Sequence, residues 1–411
     1  MPVANRSVAI DDDAVGVYHI NNRCVRQSFL CCDDRLTSAG GDPTFDQRKE
    51  WMVERLVHLV ISFAVDVLDF AIMDNHFHFL LRNRPDIRNQ WTDREVAERW
   101  SHVCPSEWQR LKPKKRSRKK KDDSPVEPEV DPREQYIQQL LRQPAKLAKL
   151  RRRLGSISWF IKLFAEYVAR RANQEDEQKG HFWGQRFHSD RILDLAHLLA
   201  CSMYINLNPI RAKMAYRPED SLYTSLRLRL DALAAAGQAQ NGVIQGAIDH
   251  DTQKSVEPAH GSIASARMEP FSAPYQHRWS PADGWLSPLS LQRDIEPNDH
   301  GSLDACMSNP FPASRASNKG FLEMTFVEYI KLIDWTGRQP VQGKAGAIPE
   351  ELKPIAERLR IDLATWGMLV SSFDKKGRAA YGSPELLRAE AVRRKQRWLR
   401  GMKMTQANSS V

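Results

Sequence analysis

The spacing of hydrophobic positions changes repeatedly along the chain, and each change marks an element. Residues 15–30 alternate around Tyr18 and Ile20, which predicts a strand followed by a loop. In "FDQRKEWMVERLVHLVISFA" the residues Trp51, Leu56, Val57 and Val60 return at helical intervals. "VDVLDFAIM" reads as a second strand, Asp74-Asn75 as a two-residue hairpin turn, and "HFHFLLR" as the return strand. The opening is therefore β-α-β-β. Thr92 with Glu95 forms a capping box ahead of a further helix. Helical patterning resumes in "YIQQLLRQPAKLAKL", interrupted at Pro144, and in "SISWFIKLFAEYVARRANQ". "GHFWGQRFHSDRILD" predicts a loop and a strand, and "LDLAHLLACSMYIN" an amphipathic helix with Asp194 at its N-cap. Residues 227–320 lose all periodicity and predict a disordered linker, while 321–405 regain helical spacing around Trp335, Trp366 and Trp398 as a helical C-terminal module. The fold class expected is α+β.

Length and charge narrow the partners. A chain of 411 residues can bury a sizeable core and divide into two or three domains. Its 61 basic against 51 acidic residues leave a net charge of +10, which points to a polyanion. The excess gathers in "KPKKRSRKKK" (112–121) and "KLAKLRRR" (146–153), the first expected as a solvated tether that can still meet phosphates. The neighbouring "DDSPVEPEVDP" has the composition of an unstructured segment. The six cysteines show no CxxC spacing and include the adjacent Cys31–Cys32, so reduced thiols are expected and a structural zinc is not. No apolar run reaches membrane-spanning length and the first residues carry no hydrophobic leader, so no membrane partner and a cytoplasmic location are expected.

The chemistry concentrates in two places. On a strand, His76 and His78 emerge on one face while Phe77 and Phe79 emerge on the other. The pair is either half of a metal site or two hydrogen-bonded core histidines. In "MYINLNPIRAK", a helix running through would stack Tyr204 and Asn208 at i and i+4. Pro209 offers another reading, in which Asn208 caps a following helix and Tyr204 is a core aromatic. On the first reading the amide completes a His-His-Asn triad with a phenol beside it. A divalent cation there polarises a phosphodiester while the tyrosine attacks phosphorus. Trp183 is available either to stack a base or to anchor its loop.

Taken in order, "VYHINNRCVRQSFL", "FAIMDNHFHFLLR", "GHFWGQRFHSDRI" and "LLACSMYINLNPIRAKMA" resemble the REP-associated tyrosine transposases, relatives of the single-tyrosine HUH (His-hydrophobic-His) transposases of bacterial insertion sequences. The resemblance covers about residues 15–226, interrupted by an insertion at about 84–150, and makes 1–226 the catalytic domain. It implies a ferredoxin-like antiparallel sheet with helices, the HUH endonuclease fold, bearing the histidines on a central strand. It also implies Tyr204 as nucleophile and His76, His78 and Asn208 as ligands of Mg²⁺ or Mn²⁺. The activity implied is a metal-dependent nicking and rejoining of single-stranded or hairpin DNA through a 5′-phosphotyrosine, in transposition or repeat mobilisation. Arg23, Arg82, Trp183, Arg186, Arg191 and Arg211 are the expected DNA contacts, the location is nucleoid-associated, and a homodimer is compatible with it. The alternative is a domesticated, non-catalytic binder of hairpin-forming repeat DNA.

Overall fold

The computed structural model describes residues 9–27, 30–31, 47–110, 131–215, 220–235, 283–291, 315–338, 363–374 and 378–400. The basic run at 112–121 lies outside these residues, as do most of the acidic stretch after it and most of the expected linker. The fold is α+β, built on a five-stranded sheet of order β2-β3-β1-β4-β5. The strands are β1 (Gly16–Arg23), β2 (Val65–Ile72), β3 (His76–Asn83), β4 (His188–Ile192) and the short β5 (Ala380–Tyr381). The first four pair antiparallel, with Ile20 opposite Phe79 and His19 opposite Asp190.

Strand alternation separates two layers. Tyr18, Ile20, Phe77, Phe79 and Leu81 enter one hydrophobic core with helices α1 (Gln47–Val60) and α7 (Ile157–Glu175). Between β3 and α7 lie α2 (Pro85–Arg88), α3 (Asp93–Val103), α4 (Pro105–Gln109), α5 (Pro132–Leu141) and α6 (Pro144–Leu154). They extend this same core through Trp100, Leu140 and Leu150. The Thr92–Glu95 capping box opens α3, and Pro144 ends one helix and starts the next, its missing N–H costing nothing in a first turn.

The other face of the sheet packs against α8 (Leu195–Arg211) and, beyond it, α10 (Phe326–Arg338) and α11 (Leu363–Ser371), with helix α9 at 225–235. A register shift between Val67 and Asp69 inserts Leu68 as an extra residue in β2. Without it Phe70 and Ile72 would turn to the wrong face; with it they join the apolar core.

Two expectations change. The sheet is mixed, not wholly antiparallel, because β5 joins β4 in parallel, with Leu193 N–H donating to the Tyr381 carbonyl at 2.8 Å. The C-terminal module thus contributes a strand as well as helices, ending in α12 (Pro384–Arg393), and β4 gains a partner for its open edge. Within the expected linker, the first residues belong to α9, and 283–291 and 315–320 pack on the body of the protein. Trp285 is fully buried against Phe70, and Arg82 donates to the carbonyls of Lys319 and Gly320. These few anchors are spaced too irregularly to leave a periodic signature.

Candidate functional site

Asp74-Asn75 forms the hairpin turn, closed by Met73 N–H donating to the His76 carbonyl at 2.8 Å. Lys49 of α1 braces it through Asp74 at 2.6 Å, and Cys24 and Cys31 donate backbone N–H groups to the carbonyls of Asn75 and Asp74. A rigid turn fixes where the next residues point. His76 and His78 do project to the same face, ring centroids 5.0 Å apart, while Phe77 and Phe79 stack at 4.2 Å on the other.

Each imidazole is held through Nδ1. His76 Nδ1 lies 2.6 Å from Asn75 Oδ1, an acceptor, so the proton resides on Nδ1 and Nε2 keeps its lone pair. His78 Nδ1 lies 2.9 Å from Nε2 of His19 on β1. Burial, reinforced by the charge of Arg23, pushes His76 down to about 4. Burial, then His76, His19 and Arg23, holds His78 well below the ordinary histidine range. Both rings are therefore neutral at pH 7, the state in which imidazole binds a metal.

Tyr204 arrives from α8. The helix continues through Asn208 with Pro209 inside it, so the capping alternative does not hold. Asp194 caps its start by accepting from His197 N–H, and its second oxygen accepts from Ser383 N–H at the head of α12. On one side of α8, Ser202 donates to Asp69 at 2.5 Å and Asn206 donates to the Tyr329 hydroxyl at 2.9 Å. Asp69 is fully buried, and burial raises its pKa despite Arg229 and the surrounding hydroxyls. This network sets the rotation of the helix. Tyr204, about 200° further round, then faces the histidines. Its ring meets His78 edge-on at 5.3 Å and His19 at 6.0 Å. Arg211 lies 5.9 Å from the Tyr204 ring centroid.

Asn208 sits one turn beyond Tyr204, 9% exposed, with no side-chain hydrogen bond among the described residues. His76 Nε2, His78 Nε2 and the Asn208 amide are thus the groups that could hold a cation. Among the described residues no group of three or more His, Cys, Asp or Glu side chains could hold a metal ion, and the expected triad contains only two of that kind. Phe373, which follows α11, covers the site: it lies 6.0 Å from both Tyr204 and His19 and stacks on Tyr381 at 4.1 Å. Tyr204 is 5% exposed.

The basic candidates divide. Arg23 ends β1 opposite His76, Arg211 is exposed beside Tyr204, and Arg186 is exposed on the 181–187 loop. Arg82 is not with them: it is buried, pairs with Asp66 at 2.7 Å and spends its remaining donors on carbonyls. Arg191 pairs with Glu390 of α12 at 3.0 Å and lies over Tyr18. Trp183 anchors its loop, donating Nε1–H to the Ala165 carbonyl and meeting Phe77 edge-on, on the face away from the histidines. In the second basic run, Arg151 reaches Asp93 and Arg153 covers Trp159, while Arg152 is exposed. Nothing in the spacing of the sequence singles out His188, Asp190 or Phe373, and His19 leaves only a faint mark. The alternation Tyr18-His19-Ile20 was the available signal, since it places His19 opposite the core.

No helix among the described residues is long and apolar enough to cross a membrane. Comparison with protein-family models, curated proteins and solved structures gives no match.

Proposed function

We propose that the protein is a metal-dependent single-stranded DNA endonuclease and strand-transferase of the single-tyrosine HUH kind, forming a 5′-phosphotyrosine in DNA transposition or repeat mobilisation. The observation that carries the reading is the meeting of Tyr204 with His78 at 5.3 Å, from separate elements, on the sheet face that bears both histidines. The succession β1-α1-β2-β3-α7-β4 with order β2-β3-β1-β4 supports the ferredoxin-like form of the sheet. The donor set fits Mn²⁺ or Mg²⁺ held by His76, His78 and Asn208, with nitrogen ligands favouring Mn²⁺ on affinity.

A bound divalent ion would polarise the scissile phosphate and offset the charge that develops on its oxygens. Tyr204 Oη forms the new bond to phosphorus as the bond from phosphorus to the 3′-oxygen breaks, and the phenol proton ends on the released 3′-hydroxyl. Arg211 and Arg23 supply positive charge at the two ends of the site, where the backbone would enter and leave. Asn75 holds His76 in one tautomer, and the Asp69 network keeps α8 from rotating Tyr204 away.

A second reading, a hairpin-DNA binder that does not cut, is favoured by the cover that Phe373 places over Tyr204. Incubation of the full chain with hairpin-bearing single-stranded DNA and Mn²⁺, followed by a denaturing gel, separates the two. A covalent adduct supports the nuclease. Gel-shift binding with no adduct under any divalent ion supports the binder.

A further inference from the structure

Behind the histidine pair stands a second row of buried side chains that the proposed chemistry leaves without a part. His19, 1% exposed at the middle of β1, stacks on His78 with ring centroids 5.1 Å apart and a 13° tilt. Its Nε2 is 2.9 Å from His78 Nδ1. Its Nδ1 faces Oδ2 of Asp190, 3.7 Å away, and makes no hydrogen bond elsewhere. Asp190 is itself 4% exposed, and its other oxygen lies 2.8 Å from Nε2 of the half-exposed His188. The four side chains form one row, His188–Asp190–His19–His78, across strands β4, β1 and β3.

Burying an imidazole at position 19 costs free energy that an aliphatic residue there would avoid. The row is also directional. A carboxylate beside Nδ1 favours the His19 tautomer with its proton on that nitrogen. Nε2 of His19 is then an acceptor, so His78 must carry its own proton on Nδ1. The lone pair of His78 is left on Nε2, the nitrogen that faces the site. We infer that His19 and Asp190 are positioning residues that fix the tautomer and ring orientation of His78 for cation binding. The inference rests on the metal site proposed above. It assigns to these two residues the role of outer partners that orient a ligating imidazole, whose loss typically weakens metal binding about 10–100-fold.

The test measures Mn²⁺ affinity of the full chain by electron paramagnetic resonance of the free ion, for the native protein and for His78→Ala, His19→Phe, His19→Gln and Asp190→Asn. His19→Phe should weaken binding about 10–100-fold. His19→Gln, whose amide oxygen can accept from His78 Nδ1–H where Nε2 stood, should recover most of that loss. Asp190→Asn should fall between them, and as an isosteric change it carries the test if His19→Phe does not fold. In the metal-free protein, ¹⁵N-histidine spectra should find His78 with its proton on Nδ1 in the native chain and divided between tautomers in Asp190→Asn. Native affinity in both His19→Phe and Asp190→Asn, or a His78 tautomer indifferent to residue 190, overturns the inference. Equal Mn²⁺ affinity in the native chain and His78→Ala instead removes the metal site itself, and the tautomer spectra then decide the positioning role alone.

Discussion

The two faces of the sheet are made by alternate residues of the same strands, yet they are built on different principles. On one, Phe77 and Phe79 stack on each other and meet Phe164 edge-on at 5.2 and 5.0 Å, a dry core shared with α1 and α7. On the other, the same stretch of β3 offers His76 and His78, β1 offers His19, and β4 offers Asp190, each buried or half-buried and each bonded to another polar group. Apolar burial stabilises without regard to direction. Buried polar groups stabilise little in net and penalise every unmade bond, so they specify geometry. Around Phe77 and Phe79 the face is held by apolar contact, whereas opposite them a polar row that fixes a small number of atoms is set into a second apolar core shared with α8, α10 and α11.

Substitution on each face should therefore break different properties. Phe79→Ala removes a fully buried ring and should cost about 3–5 kcal/mol, a large part of the stability of an ordinary domain. Chemical denaturation measures it, and activity should fall only with the folded fraction. His78→Ala should do the reverse: abolish strand cleavage while the protein still melts cooperatively. Equal stability losses in the two variants would erase the contrast between the faces. Phe373→Ala opens the cover on Tyr204, and should speed adduct formation several-fold while costing about 3 kcal/mol of stability. A slower adduct would make Phe373 a part of the site instead of its cover.

The contrast extends to pH. In the helical layer behind the apolar face, His58 and His102 lie in edge-on contact at 4.3 Å. Burial, then the charges of His102 and Arg55, pushes His58 down to about 3; burial, then Arg133, Arg55 and Arg99, pushes His102 down to about 4. The unfolded chain takes up protons on both as pH falls through about 6.5, whereas the fold refuses them until about 4. Stability from this pair is intact above that window and is lost within it on acidification. His188 has the opposite sign, since its bond to Asp190 raises its pKa. That contribution is complete below the ordinary histidine value and lost as pH rises through the raised one. Thermal melts from pH 4 to 8 of His102→Gln and His188→Gln should flatten the acid and the neutral limbs respectively. The smallest effect expected is at the rim, where Arg186→Ala should lower the salt dependence of DNA binding by about one phosphate contact.

The fold was legible where periodicity was clean. Strands β1, β2 and β3, the helices at Trp51 and Thr92, the break at Pro144 and the cap at Asp194 all stand where spacing and capping chemistry place them. What escaped was long-range pairing. A two-residue strand such as Ala380–Tyr381 has no period to read, and the bulge at Leu68 is a matter of register, not composition. In the site, the shared direction of His76 and His78 followed from strand geometry alone. His19 sits in an alternating strand as an unremarked odd position, and Asp190 matters only because β4 pairs with β1. Arg82 illustrates the converse: a basic residue near the motif in sequence turned out to be an internal tie to Asp66.

The central claim is that Tyr204 is the nucleophile and the histidines beside it enable its attack. Its most direct test is peptide mapping of the covalent adduct formed by the full chain with hairpin-bearing single-stranded DNA and Mn²⁺, alongside Tyr204→Phe, which removes one oxygen and should cost about 1 kcal/mol of stability or less. The account predicts a nucleotide on the peptide containing Tyr204, and a Phe variant that binds the same DNA and forms no adduct. A nucleotide carried by Tyr167 or Tyr223, or an undiminished adduct in the Phe variant, would contradict it.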